Sequence, residues 1–116
     1  MAEASRSNPH AGQPVLTDGA PLDRARAALI LLHGRGASAE SILSLAHDIG
    51  HPGFAYLAPQ AAGFTWYPLP FTAPLDANEP FLSSAIALVD AVAARVEQAG
   101  LPAERIALAG FSQGAC

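Results

Sequence analysis

Short apolar runs separated by helical patterns constrain the fold of this chain more than any other feature. The segments 27–34 (AALILLHG), 53–59 (GFAYLAP) and 105–111 (RIALAGF) are apolar and bounded by Gly, Pro or charged residues. Runs of this kind are typical of strands buried on both faces, as in a parallel sheet. A fourth run, 14–17 (PVLT), fits a strand at the sheet edge.

Two helical patterns lie between these runs. The first predicts a helix over 39–49, because Ser38 is a good N-cap and the apolar residues after it follow helical spacing. The second predicts a helix over 80–99, with Asn78 as its cap and Pro80 in its first turn. The apolar stripe of this second helix is predicted to consist of Leu82, Ile86, Val89, Ala93 and Val96.

The resulting order is strand, helix, strand, long loop, helix, strand. Such alternation predicts an α/β fold with a mostly parallel sheet and flanking helices. The loop 59–80 contains five prolines and four aromatic residues, and loops of this length are often functional. We expect residues 1–14 to form a flexible polar tail and residues 15–116 to form the folded domain.

Composition excludes several classes of function. The chain has 116 residues, of which 51% are hydrophobic, and its net charge is −4 without a basic cluster, so nucleic acid is not an expected partner. Its apolar runs are shorter than the ~20 residues that a membrane span needs. Cys116 is the single cysteine, so we expect no internal disulfide, no Cys-based zinc site and a cytoplasmic location.

A glycine-flanked serine follows the last apolar run. Residues 110–114 read Gly-Phe-Ser-Gln-Gly, which matches the Gly-x-Ser-x-Gly turn that presents a nucleophile between a strand and a helix. Small residues flank the serine because side chains there would collide with neighbouring backbone. Ser112 is therefore the predicted catalytic nucleophile. The alternative is a plain glycine-rich turn without chemistry.

A serine nucleophile also needs N–H groups that stabilise the oxyanion. The residue after the nucleophile usually supplies one backbone N–H, here Gln113, and the loop after an early strand supplies the second. The segment 33–38 (HGRGAS) has that position, and we predict the Arg35 N–H as the second donor. Read alone, the same segment also fits a tight strand-to-helix turn.

Four segments together resemble a known family. LLHGRGAS, APQAAGFTWYP, NEPFLSSA and PAERIALAGFSQGAC are similar to the bacterial phospholipase/carboxylesterase family of α/β-hydrolases, which includes acyl-protein thioesterase-like esterases. The resemblance extends from about residue 15 to residue 116. Its most specific part is His-Gly-Arg-Gly combined with Gly-Phe-Ser-Gln-Gly.

The resemblance implies a cofactor-free, metal-free serine esterase that acts on small-molecule esters or thioesters. It implies Ser112 as nucleophile and the N–H groups of Arg35 and Gln113 as oxyanion donors. Trp66 and Tyr67 lie in a loop that approaches the acyl pocket in such enzymes, so they are candidate substrate-binding residues. Trp66 equally fits a loop anchor that packs on the core. A homodimer is left open for full-length family members.

The catalytic acid and base of this fold follow the serine along the chain. Only four residues follow Ser112, so these partners have no matching positions here. The histidines before Ser112 are poor candidates for the base. His33 lies near the oxyanion loop but is better explained by the turn. His47 and His51 are expected to be solvated, and His10 lies in the tail. We therefore expect the N-terminal half of a hydrolase, truncated after the nucleophile turn and inactive by itself.

Two other functions stay open. The chain could be a non-catalytic fragment that binds or dimerises through a bare sheet edge. It could instead hydrolyse lactones, as the related dienelactone hydrolases do. The usual nucleophile of that group is cysteine, so Ser112 argues against the second alternative.

Overall fold

A computed structural model of the chain describes residues 8–116. They form one four-stranded sheet with the strand order β1-β3-β2-β4. The strands are β1 (Val15–Gly19), β2 (Ala27–Leu32), β3 (Phe54–Pro59) and β4 (Ile106–Gly110), and the helices are α1 (Ala39–Ile49) and α2 (Phe81–Gln98). Short 3₁₀ turns cover Ala62–Phe64, Leu75–Asn78, Ala103–Arg105 and Ser112–Gly114.

The central strand β2 pairs in parallel with β3 on one side and with β4 on the other. Leu29 of β2 lies opposite Tyr56 of β3 and opposite Ala107 of β4. The remaining strand, β1, pairs antiparallel with β3 and forms one edge of the sheet. The predictions of parallel strands from the three long apolar runs and of an edge strand over 14–17 are confirmed.

The two helices cover opposite faces of the sheet. Ile42 and Ala46 of α1 pack on one face, in a cluster that includes Leu31 of β2. Val92 and Val96 of α2 pack on the other face, against further apolar residues of β2 and β3. The apolar runs of β2 and β3 are therefore buried on both sides, because a helix covers each face of the sheet.

Helix α1 has the ends that the sequence predicts. Ser38 is its N-cap, and the Ser41 backbone N–H donates to the Ser38 hydroxyl at 3.2 Å. Gly50 follows the helix with φ +62°, a left-handed conformation that glycine adopts without steric cost.

The start of α2 differs from the prediction. Asn78 does not cap the helix, because its side chain is buried and turned toward the preceding loop. It accepts a hydrogen bond from the Leu69 N–H at 2.7 Å and donates one to the Pro70 carbonyl at 3.3 Å. Pro80 occupies the N-cap position rather than the first turn. The Asn78 amide is therefore hydrogen-bonded within the loop and does not cap the helix.

The predicted apolar stripe of α2 is also only partly right. Val92 and Val96 are buried and Leu88 packs against the same cluster, so the stripe that faces the sheet runs through these residues. Ile86 is instead 57% exposed and lies at an open groove beside β4. The 3.6-residue period predicted the helix correctly but not which of two adjacent apolar stripes the sheet covers.

The histidine placed in the tail is part of the core. His10 has no exposed surface, and its main-chain N–H donates to the Ser84 hydroxyl of α2 at 2.9 Å. The expected tail thus contains a buried contact in the part that the structure describes, while residues 1–7 lie outside the described residues. Within 8–116, neither helix is long and apolar enough to cross a membrane.

Candidate active site

The predicted nucleophile lies on a strained turn directly after β4. Ser112 has φ +54°, a left-handed conformation that is uncommon for a residue with a side chain. A Cβ on Gly110 would overlap the main chain of Gly114, and a Cβ on Gly114 would overlap the Leu32 carbonyl at the end of β2. Both glycines are therefore required by close main-chain approach, and Ser112 is exposed at the tip.

The His-Gly-Arg-Gly segment lies against this turn. A Cβ on Gly34 would be 3.3 Å from the Phe111 carbonyl oxygen and 3.5 Å from Ser112 Cβ, so the two loops are in contact. Gly36 has φ +76°, and its N–H donates to the Phe64 carbonyl at 2.7 Å. Phe64 itself has φ +62°; it and Ser112 are the non-glycine residues with positive φ within 8–116. The strained positions are thus concentrated at one site.

Arg35, Ser112 and Gln113 line one cavity of about 220 Å³. The backbone N–H groups of Arg35 and Gln113 form no hydrogen bond with any residue of 8–116. The rest of the cavity wall is formed by Tyr67, Leu69, Pro70, Phe71 and Cys116. The structure therefore brings the predicted nucleophile and both predicted donor residues to one concave surface.

The side chain of Gln113 has a second role that sequence reasoning missed. Its Oε1 accepts a hydrogen bond from the Trp66 backbone N–H at 2.8 Å, and its Nε2 donates to the Tyr67 carbonyl at 2.8 Å. The amide thus joins the serine turn to the long aromatic loop. The motif uses only the backbone of this residue, so the spacing of Gly-x-Ser-x-Gly could not reveal the contact.

Trp66 is buried between the two loops of the site. Its side chain is 3% exposed, and the indole N–H donates to the His33 carbonyl at 2.8 Å. The indole stacks on the His33 ring with 4.9 Å between the ring centroids. These contacts agree with the loop-anchor interpretation of Trp66. Contact of Trp66 or Tyr67 with a substrate stays a prediction.

His33 has both ring nitrogens occupied. Its Nε2 accepts the Ala61 backbone N–H at 3.0 Å, so Nδ1 carries the proton and donates to the Gly34 carbonyl at 2.7 Å. Burial lowers the pKa of the His33 ring below its ordinary value, which favours the neutral form. A ring held in this way fixes the loop but has no free nitrogen to accept the Ser112 proton. His47 and His51 are exposed, as expected.

Among residues 8–116, no cluster of three or more His, Cys, Asp or Glu side chains is arranged to hold a metal ion.

Comparison with known proteins identifies the family. The family model for phospholipase/carboxylesterase matches residues 19–116. The chain belongs to this family. The match includes both loops of the site, so the family resemblance seen in the motifs is confirmed.

Two solved structures agree with this chain in fold. A phospholipase/carboxylesterase from Dyadobacter fermentans is 48% identical, with a TM-score of 0.87 over 90% of this chain and 50% of its own. Esterase PE8 is 27% identical, with a TM-score of 0.66 over 89% of this chain and 53% of its own. The sheet and helices thus match an N-terminal portion of an α/β-hydrolase, and the chain spans about half the length of these relatives.

Proposed function

We propose that this chain is the nucleophile-bearing half of a serine carboxylesterase. The observation that carries the proposal is the shared cavity of Ser112, Arg35 and Gln113, with the serine on a left-handed turn and two backbone N–H groups unoccupied by residues 8–116. A nucleophile and oxyanion donors on one concave surface are the parts that acyl transfer requires.

The reaction has two stages. The Ser112 Oγ attacks the ester carbonyl carbon and loses its proton to a base, and the carbonyl oxygen becomes an oxyanion that the Arg35 and Gln113 N–H groups stabilise. Collapse expels the alcohol, which takes up the proton, and leaves an acyl group on Ser112. Water then attacks the acyl-enzyme by the same route, releasing the carboxylic acid and restoring the serine.

The base of this reaction comes from outside the described residues. His33 and His10 use both ring nitrogens in hydrogen bonds to backbone groups, and His47 and His51 are exposed on the surface. Because the chain spans about half of its solved relatives, the other half is the source we propose for the histidine and its acidic partner.

The cavity wall favours a substrate with an apolar acyl group. Leu69, Pro70 and Phe71 line the same cavity as Ser112, and Leu69 and Phe71 are well exposed. Apolar walls bind acyl chains by removing their surface from water. We therefore propose short or medium acyl esters or thioesters as the substrate class. A cytoplasmic location and a homodimer stay predictions, which cell fractionation and size-exclusion chromatography test.

The test joins the chain to the second half of a solved relative. Residues 1–116 are joined to the second half of the Dyadobacter fermentans relative, and hydrolysis of p-nitrophenyl acetate is followed for the fusion and for the chain alone. We expect turnover by the fusion, at least about 10³-fold faster than by the chain alone, because removing a triad base costs roughly that factor or more.

Ser112→Ala is the decisive control. It should abolish turnover by the fusion, while Ser83→Ala, which alters an exposed serine on α2, should leave turnover unchanged. Undiminished hydrolysis in the Ser112→Ala fusion would show that the nucleophile is assigned wrongly.

A further inference from the structure

His10 is a buried polar residue with no place in the reaction described above. Its side chain has no exposed surface, and both ring nitrogens are hydrogen-bonded. The Ala62 N–H donates to Nδ1 at 3.0 Å, so Nε2 carries the proton and donates to the Trp66 carbonyl at 2.7 Å. Buried polar side chains that are fully paired commonly fix one local geometry.

The ring of His10 is itself fixed by α2. Its main-chain N–H donates to the Ser84 hydroxyl at 2.9 Å, and that hydroxyl donates to the Asn8 side chain. The ring also lies edge-on to Phe81, with 6.2 Å between the centroids. The residue thus connects the first turns of a long helix to the aromatic loop.

Trp66 transmits this connection to both oxyanion loops. Its indole N–H donates to the His33 carbonyl, two residues before Arg35, and its backbone N–H donates to the Gln113 side chain. The His10 and Trp66 rings lie 5.3 Å apart. One residue therefore contacts both segments whose N–H groups line the cavity, and His10 holds that residue through its carbonyl.

We propose that His10 is a positioning residue for the oxyanion hole, acting through Trp66 on the Gln113 turn and on the loop before Arg35. This inference rests on the proposed function of those two N–H groups. It assigns to the N-terminal segment a role in the geometry of a turn, that of Ser112 and Gln113, which lies more than a hundred residues later in the sequence.

Two substitutions separate the two ring contacts. His10→Gln places a donor near the position of Nε2 and retains the bond to the Trp66 carbonyl. His10→Asn places an acceptor near the position of Nδ1 and retains only the bond from Ala62. His10→Ala removes both, and Val92→Ala, which removes buried atoms from the opposite part of α2, controls for a general loss of stability.

The measurements are made on the 116-residue chain under folding conditions. Trp66 is the only tryptophan, so its fluorescence reports its environment directly. We expect His10→Ala and His10→Asn to shift its emission to longer wavelength and to shift the Gln113 side-chain amide resonances in ¹⁵N spectra. His10→Gln and Val92→Ala should leave both signals near those of the unaltered chain.

The rate of Ser112 labelling by a small fluorophosphonate gives the link to chemistry. His10→Ala and His10→Asn should lower the first-order labelling step roughly tenfold without changing the half-saturating probe concentration, since displacing one oxyanion donor costs up to 10²–10³. His10→Gln should restore the rate.

Several results would overturn the inference. The inference is wrong if His10→Ala leaves the Trp66 emission and the Gln113 resonances unchanged. It is also wrong if His10→Asn and His10→Gln both behave like the unaltered chain, since the ring would then only fill space. If these signals shift as expected but the probe does not select Ser112, the proposed function fails and the structural connection stands.

Discussion

Gly114 lies where the serine turn passes the end of β2. A Cβ at this position would overlap the main-chain carbonyl of Leu32 and approach that of His33, and neither atom can move by changing a rotamer. Gly114 therefore belongs to the turn for a steric reason, independent of any need for positive φ. The same steric reason applies to both glycines of the motif, because the turn that carries Ser112 after β4 passes close to neighbouring main chain.

Gly114→Ala should destabilise the chain by about 3 kcal/mol, at the upper end of overpacking effects, because backbone must shift. It should also displace Ser112 and reduce labelling of this serine. Gly12→Ala is the matched control, because Gly12 has φ +77° but no atom within 4 Å of the added Cβ. Its cost should be about 1 kcal/mol, from conformation alone, with labelling unchanged. Urea unfolding and labelling rates distinguish the two, and equal effects would contradict the close-approach argument.

The two buried histidines predict a pH dependence of stability. Burial lowers the pKa of both His10 and His33 below the ordinary value of 6.5, and the proximity of the two rings lowers that of His10 further. As the pH falls below 6.5, these two histidines therefore bind protons more readily in the unfolded chain than in the folded chain. Stability should be level above that pH and decrease below it, by at most ~1.4 kcal/mol per pH unit for each histidine.

Urea unfolding between pH 5.5 and 7.5 measures this dependence. His10→Gln removes one titrating group and should reduce the slope. A free energy of unfolding that rises as the pH falls would show that these rings are charged in the folded chain, contrary to their hydrogen-bond partners.

At the scale of elements, the start of α2 depends on the loop before it. Asn78 is 3% exposed, and its side-chain amide joins the two ends of the segment 69–78. Glu79 acts locally instead: its carboxylate accepts a hydrogen bond from the Ser83 N–H at 3.1 Å. The hydrogen bonds of the buried Asn78 side chain are partly shielded from solvent and that of Glu79 is exposed, so their contributions to stability should differ.

Asn78→Ala should cost about 2 kcal/mol, because it leaves the Leu69 N–H and the Pro70 carbonyl without their partner. Glu79→Ala should cost about 0.5 kcal/mol, as is usual for an exposed carboxylate at a helix N-terminus. Thermal unfolding compares them, and limited proteolysis should show faster cleavage between 68 and 78 in Asn78→Ala alone. A larger loss in Glu79→Ala would mean that local capping, not the loop contact, defines the helix start.

The strands and helices could be predicted because their signals are local. The runs 27–34, 53–59 and 105–111 are apolar enough to indicate buried parallel strands, and Ser38 and Gly50 end α1 through contacts within a few residues. The roles of Asn78, His10 and the Gln113 side chain could not be predicted, because each depends on a partner about ten to seventy residues away in sequence.

At the scale of the whole molecule, one side of the sheet is open. Leu108 of β4 is 58% exposed and Ile86 of α2 is 57% exposed, and both line an apolar groove of about 360 Å³ that continues to Trp66 and Gly114. Within 8–116, β4 pairs only with β2, so its other edge has free N–H and carbonyl groups. Exposed apolar surface beside an open strand edge favours association.

The chain should therefore bind the dye ANS and associate as its concentration rises. The double variant Ile86→Lys and Leu108→Lys should reduce both effects with little change in the free energy of unfolding, because neither side chain is in the core. Ile49→Lys changes an equally exposed residue of α1, away from the groove, and should leave dye binding unchanged. A monomer that melts sharply and binds no dye would contradict this prediction.

We propose that Ser112, among the serines of residues 8–116, is the one presented as a nucleophile. The most direct measurement is to treat the 116-residue chain with a fluorophosphonate and to locate the adduct by mass spectrometry of its peptides. The structure predicts one adduct, on Ser112, formed slowly in the absence of the base and abolished by Ser112→Ala. Adducts spread over several serines at similar rates, or an adduct that persists elsewhere in Ser112→Ala, would contradict the claim.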